Sequence, residues 1–93
     1  MASGNEPMPY FNGYVTITDC NDAIIPGRTY IAQGSQTINK PDDSWFFIIC
    51  FGEMGIYKTQ LAVTLNSTTP NIYVRGTDMA GNWGAWRRVA FAQ

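Results

Sequence analysis

Histidine is absent from this chain of 93 residues, and charged residues are scarce. The usual serine and cysteine triads need a histidine base and most zinc sites need histidine ligands, so these chemistries are excluded. Charged side chains make up 14% of the residues, against about 25% in typical globular domains, and the formal net charge is -1. Because phosphate binding requires several convergent cations, this composition argues against a nucleic-acid partner.

Cysteines and long apolar runs are also few. The chain has 2 cysteines, Cys20 and Cys50. One disulfide is arithmetically possible, but Cys50 lies in an apolar run, which favours two free thiols that are buried or half-buried. No stretch approaches the roughly 18 apolar residues of a membrane span, so we predict no membrane insertion.

The length of the chain fits one small domain with a thin core. Residues 1–12 lack the basic start and apolar region of a signal peptide and are interpreted as a linker or an artificial start. The domain itself is predicted over residues 13–93. This beginning suggests a piece of a longer protein.

The acidic residues predict turns rather than a site. Asp42 and Asp43 are neighbours in a polar loop, whereas a glycosidase needs two carboxylates that face one cleft at a defined separation. The segment that begins at Asp78 has too few oxygen ligands for calcium. We therefore predict that the chain is not an enzyme and has no catalytic residue, metal or cofactor.

Short alternating segments separated by turn residues predict a mainly β fold. We expect a small twisted antiparallel sheet, a partly rolled meander, with one short helical turn. Thr18 or Asp19 would cap that turn, and Pro26-Gly27 would end it. Strands are predicted over residues 14–18, 28–32, 45–51, 57–65, 72–77 and 84–91, with a polar loop over 33–44 and a glycine turn over 52–56.

Aromatic residues are plentiful, with 3 Trp, 5 Tyr and 5 Phe. The strand over residues 45–51 is apolar throughout, which predicts a central strand covered on both sides. We therefore expect core packing for Trp45, Phe46, Phe47 and Phe51.

The aromatic residues near the end of the chain have different expected roles. Trp86 and Tyr73 are predicted to pack across neighbouring strands, with Arg75 or Arg87 over a ring. Trp83 directly follows a Gly-Asn turn, where an indole is often only half covered. Sugar rings stack on such indoles and bond to nearby polar groups, so Trp83, Asp78, Asn82 and Tyr57 form a candidate glycan-binding site. Half-exposed aromatic residues also mark protein interfaces, and this alternative stays open.

The segment Asn71-Ile-Tyr-Val-Arg, followed by Asn82-Trp-Gly-Ala-Trp-Arg-Arg-Val, resembles the closing signature of knob-type domains in tail fibres of bacteriophages, prophages and tailocins. The run from Asp19 to Tyr30 resembles the opening of that family, an Asp/Asn-rich turn followed by Pro-Gly-x-Tyr. Gln60 resembles its central strand, and Asn39-Lys-Pro stands at its Asn-x-Pro loop. The positions that carry the closing signature are Tyr73, Arg75, Trp83, Trp86, Arg87 and Val89.

The resemblance implies a domain of a virion tail fibre, made in the cytoplasm of a bacterial host. It would attach the particle to a bacterial surface glycan or protein, and its other partners would be the protomers of a homotrimeric fibre. Weak sites become effective there because several copies act together. A structural, trimer-stabilising segment is the alternative, and an apolar patch buried between protomers would distinguish it. A depolymerase would require carboxylates from separate protomers to meet.

Overall fold

The sheet is the main element of the fold, and the computed structural model describes residues 14–52 and 57–90. Within those ranges six strands form a sheet in chain order, which confirms the predicted mainly β fold. The strands are β1 (Val15–Ile17), β2 (Thr29–Ala32), β3 (Phe46–Gly52), β4 (Lys58–Thr64), β5 (Ile72–Gly76) and β6 (Arg87–Arg88).

The sheet is mixed rather than wholly antiparallel. Strands β2 to β6 form an antiparallel meander, but β1 and β2 run parallel. Parallel neighbours need a crossover connection, and residues 18–28 supply it here. The six strands remain an open sheet with β1 and β6 at its edges.

Short 3-10 helices lie in two of the connections between described strands, at Cys20–Asp22 and Gly34–Gln36. Asp19, one of the two predicted caps, caps the first, because its carboxylate accepts a hydrogen bond from the Asn21 N–H at 2.9 Å. This helix ends at Asp22, earlier than the predicted end at Pro26-Gly27. The second was not predicted. It lies in the loop over residues 33–44, where the Thr37 hydroxyl donates to the Ile17 carbonyl at 2.6 Å.

One face of the sheet, here called the covered face, carries the core. Residues 18–28 and 33–44 lie over this face and contribute the buried Cys20, Ala23 and Thr37. Tyr73 packs edge-on against Phe46, with ring centres 5.6 Å apart. The buried strand residues of this face are Ile17, Tyr30, Ala32, Phe46, Ile48, Cys50, Gln60, Ala62 and Arg75.

The expectation that β3 is covered on both sides is wrong within the described ranges. β3 is an interior strand, between β2 and β4, and Phe46 is fully buried. Trp45, Phe47 and Phe51, however, are 45%, 41% and 50% exposed. Alternation along the strand turns Phe47 and Phe51 away from the core, and no described segment lies over that side. Alternate side chains of the apolar run therefore lie on opposite sides of the sheet, one side in the core and the other partly exposed.

Other predictions have mixed outcomes. Both cysteines are free and buried, as predicted.

The last strand is much shorter than expected, because residues 84–86 are not part of the strand pairing and only Arg87–Arg88 pair with β5. The predictions for residues 1–12, for the turn at 53–56 and for Phe91 lie outside the described residues. No helix in the described ranges is long and apolar enough to cross a bilayer.

Candidate functional site

Arg75, a buried arginine in β5, lies at the centre of the candidate site. Its Nε donates to Gln60 Oε1 at 2.8 Å, and its Nη2 donates to Asn21 Oδ1 at 2.8 Å. Burial lowers the pKa of Arg75 from its ordinary value, but an arginine side chain keeps its proton in proteins. The site therefore contains a fixed positive charge whose hydrogen bonds go to neutral amide oxygens.

Gln60 supports Arg75 from the neighbouring strand. It is fully buried, and its Nε2 donates to the carbonyl oxygens of Cys20 at 2.7 Å and Ala23 at 2.9 Å. The side-chain amide thus accepts from β5 and donates to the first 3-10 segment. A buried polar group that is fully bonded holds its neighbours in one arrangement, so Gln60 fixes the position of the segment that carries Asn21.

The guanidinium of Arg75 also contacts two indole rings. Its Cζ lies 4.4 Å from the ring centre of Trp83 and 4.6 Å from that of Trp86, within the range of a cation–π interaction. Lys58 Nζ lies 5.9 Å from the Trp83 ring centre. Trp86 is held further by its Nε1, which donates to the Asn39 carbonyl at 2.8 Å. The prediction that Arg75 or Arg87 lies over a ring is confirmed for Arg75.

An open groove of about 550 Å³ lies beside this cluster. Small-ligand sites have volumes of about 300–1,000 Å³ and are usually lined by apolar side chains. This groove is different, because three asparagine side chains contribute to its wall and a half-buried indole adds an aromatic surface. Such a lining suits a ligand rich in hydroxyl groups. The lining residues are Asn21, Asn39, Arg75, Gly81, Asn82, Trp83, Gly84 and Ala85.

The structure brings two of the four predicted site residues to the groove. Trp83 and Asn82 line it, whereas Asp78 and Tyr57 do not. Tyr57 is 59% exposed and immediately precedes β4.

Asp78 organises the turn that presents Asn82. Its Oδ1 accepts from the N–H groups of Ala80 and Asn82, both at 2.9 Å, and its Oδ2 accepts from Asn82 Nδ2 at 3.3 Å. The backbone hydrogen bond from Asn82, with smaller contributions from its amide and from other N–H groups of the turn, lowers the pKa of Asp78. The carboxylate thus positions a groove residue instead of facing the groove.

Among the groove residues that sequence reasoning missed, Asn21, Asn39 and Arg75 have polar side chains. Asn21 and Asn39 come from separate loops, which meet because Asn39 Nδ2 donates to the Asp19 carboxylate at 2.8 Å, beside Asn21. Asn39 adopts a left-handed backbone with φ of 61°, a conformation that asparagine tolerates better than most residues. That preference is the local signal for Asn39, and the sequence gives no signal that brings the two loops together.

In residues 14–52 and 57–90, no group of three or more His, Cys, Asp or Glu side chains is placed to share a metal ion. A scan against protein-family models and searches of the curated proteins and the solved structures found no match to this chain. The likeness to tail-fibre domains therefore rests on the motifs quoted above.

Proposed function

We propose that this domain belongs to the tail fibre of a phage or prophage and helps to attach the virion to a glycan on a bacterial surface. The observation that carries the proposal is the groove, in which a half-buried indole stands beside the side chains of Asn21, Asn39 and Asn82. Amides bond to sugar hydroxyls, and an indole face stacks on a sugar ring. The sequence motifs support the fibre context, including a homotrimeric parent protein.

The contacts behind the groove also favour binding. Arg75 holds the Trp83 ring, and Asp78 holds Asn82, before any ligand arrives. A ligand that meets ordered side chains loses less conformational entropy on binding. The weak affinity expected of an open groove would be raised by several copies in one fibre.

A screen of the domain, displayed in multivalent form, against bacterial glycans and whole cells tests this proposal. Ala85 lines the groove and is exposed, so Ala85→Gln fills space there without removing a side-chain contact. Ala90 is exposed and outside the groove, and Ala90→Gln is the matched control. We expect Ala85→Gln to lower binding by about tenfold or more while Ala90→Gln binds normally. Equal binding by both variants, or no binding by the folded wild type, would contradict the proposal.

Trp83→Ala is a less specific test than these variants. Trp83 contacts Arg75 as well as lining the groove, so its removal changes both the platform and its support. A loss of binding is informative only if the melting temperature of the variant stays close to that of the wild type.

A non-binding structural segment of the same fibre is the second candidate function. The apolar side of the sheet that no described segment covers favours this function, because Phe47 and Phe51 are half exposed there. The two functions are compatible in one domain, since the groove and this surface are separate. If the folded wild type binds no cell and no glycan, the structural function is the only one of the two that remains.

A further inference from the structure

The sheet face opposite the covered face is apolar across four strands. Cross-strand pairing places Ile31, Phe47, Val63 and Ile72 in one row and Ile49, Leu61 and Val74 in the next. Phe51 extends the surface towards the end of β3. We call these eight residues the apolar face.

The residues of the apolar face are accessible. Phe47 is 41% exposed and Phe51 is 50% exposed, and the other six are intermediate in exposure. No described segment covers them, because the core cluster of the described residues lies on the other side of the sheet.

The lack of charged side chains on this face favours an uncharged, apolar partner surface. From β2 to β5, the other positions on the same side are Thr29, Thr59 and Gly76, so these four strands present no charged side chain there. The first charge on this side is Arg87, which pairs with Val74 at the edge. An uncharged apolar surface gains most from a surface of the same kind, since neither then desolvates a charge.

The edges of the sheet disfavour the other common route to association. The edge strands are short, with β1 spanning Val15–Ile17 and β6 spanning Arg87–Arg88. Short or charged edge strands are a recognised barrier to edge-to-edge pairing. The chain is therefore more suited to association through its apolar face than through the edges of its sheet.

The size of the face agrees with a contact between proteins. Four strands about 4.8 Å apart and up to seven residues long give roughly 400 Å² of sheet. A standard specific interface buries about 800 Å² on each partner, with an apolar centre and a polar rim. The apolar face has the size of such a centre, and Thr29, Thr59 and Arg87 lie where the rim would be.

We propose that the apolar face is the surface through which the chain associates with further copies of itself. The inference deepens the proposed function by naming the contact surface between fibre protomers, and it rests on that proposal for the biological context. In a homotrimer the three apolar faces would turn towards the three-fold axis, so that each face contacts both neighbouring copies. The groove residues belong to the opposite side and stay accessible in such an assembly.

Sedimentation velocity on the purified chain, at concentrations up to about 100 μM, tests the inference because contacts of micromolar affinity are then largely occupied. We expect a species heavier than one chain. Phe47→Lys places a charge at the centre of the face and should return the protein to the mass of one chain. Met79→Lys adds the same charge at a residue that is 82% exposed in the Asp78 turn, outside the face, and should leave the mass unchanged.

A wild type that sediments as one chain at every concentration would overturn the inference. So would a heavier species that persists in Phe47→Lys. If Phe47→Lys fails to fold, as judged by circular dichroism, Phe51→Lys at the margin of the face takes its place. Binding of glycans by a monomeric, bead-displayed Phe47→Lys variant would keep the proposed attachment function even if self-association fails, so the two failures are distinguishable.

Discussion

Arg75 and Trp83 are in direct contact, with the guanidinium carbon 4.4 Å from the centre of the indole ring. The same guanidinium donates hydrogen bonds to Gln60 and Asn21. One side chain therefore joins the buried hydrogen bonds of the sheet to the aromatic edge of the groove. A planar guanidinium can stack on an aromatic ring while it donates hydrogen bonds in two directions, whereas the ammonium group of lysine cannot stack in this way.

Replacement of Arg75 by lysine tests this dual role. Arg75→Lys keeps the charge but loses one or more hydrogen bonds and the stacked geometry, so the free energy of unfolding should fall by about 1–3 kcal/mol. Urea denaturation measures the change. Arg28 is exposed, and Arg28→Lys should alter the free energy by less than about 0.5 kcal/mol. Equal effects would mean that Arg75 contributes only its charge.

Phe46 and Trp45 are adjacent but differ in burial, and their alanine variants should differ accordingly. Phe46→Ala removes a fully buried ring and should cost about 3–5 kcal/mol. Trp45 is 45% exposed, so Trp45→Ala should cost about 1–2 kcal/mol. Chemical denaturation of both variants checks the order, and a larger loss at Trp45 would contradict the described packing.

Asp78 should act on binding through the turn it organises. Asp78→Asn keeps a side-chain oxygen for the N–H groups of Ala80 and Asn82, whereas Asp78→Ala removes it. We expect the asparagine variant to bind glycan nearly as well as the wild type and the alanine variant to bind more weakly. The same multivalent binding assay measures both. Equal, strong losses would return Asp78 to the set of ligand-contacting residues.

Cys20 should make stability depend on pH in alkaline solution. Burial raises the pKa of Cys20 from 9.0 to about 11, although attraction to Arg75 opposes the rise. Above pH 9 the unfolded chain loses this proton while the folded chain retains it. Below pH 9 the protonated Cys20 therefore makes its full contribution to the free energy of unfolding. As the pH rises from about 9 to about 11, that free energy should fall by roughly 2 kcal/mol.

The matched control for this pH dependence is Cys20→Ala. The variant retains every other titratable side chain, including the buried Cys50, so a difference between the two proteins isolates Cys20. Unfolding free energies of both proteins at several pH values should show a shallower alkaline decline in Cys20→Ala. Parallel declines would assign the effect to groups other than Cys20.

The strands were predictable because their signal is local. Alternation located β2, β4 and β5 to within a residue or two at each end, and the observed helix cap, Asp19, is one of the two residues predicted for that position. Alternation along β4 also places Gln60 and Ala62 on one side of the strand and Leu61 and Val63 on the other. Periodicity does not say which group faces the core, and here the core takes Gln60 and Ala62.

The remaining features depend on contacts between distant residues. The loops over residues 18–28 and 33–44 bond to the less apolar side of β4 and its neighbours, through Gln60 and Trp86. No described segment covers the more apolar side. The parallel pairing of β1 and β2 depends on the same crossover. For the candidate site, composition and turn chemistry led to Trp83 and Asn82, while Asn21, Asn39 and Arg75 join them only through the tertiary fold.

The hydrogen bonds of Gln60 also bear on the order in which the chain folds. They link β4 to residues 40 and 37 positions earlier in the chain, whereas β3, β4 and β5 pair with their immediate neighbours in sequence. Closing a long loop costs more entropy than pairing adjacent strands. We therefore expect the meander to form first and the Asn21 segment to dock afterwards. The groove would then be among the last features to appear during folding, so binding activity would report a completely folded domain.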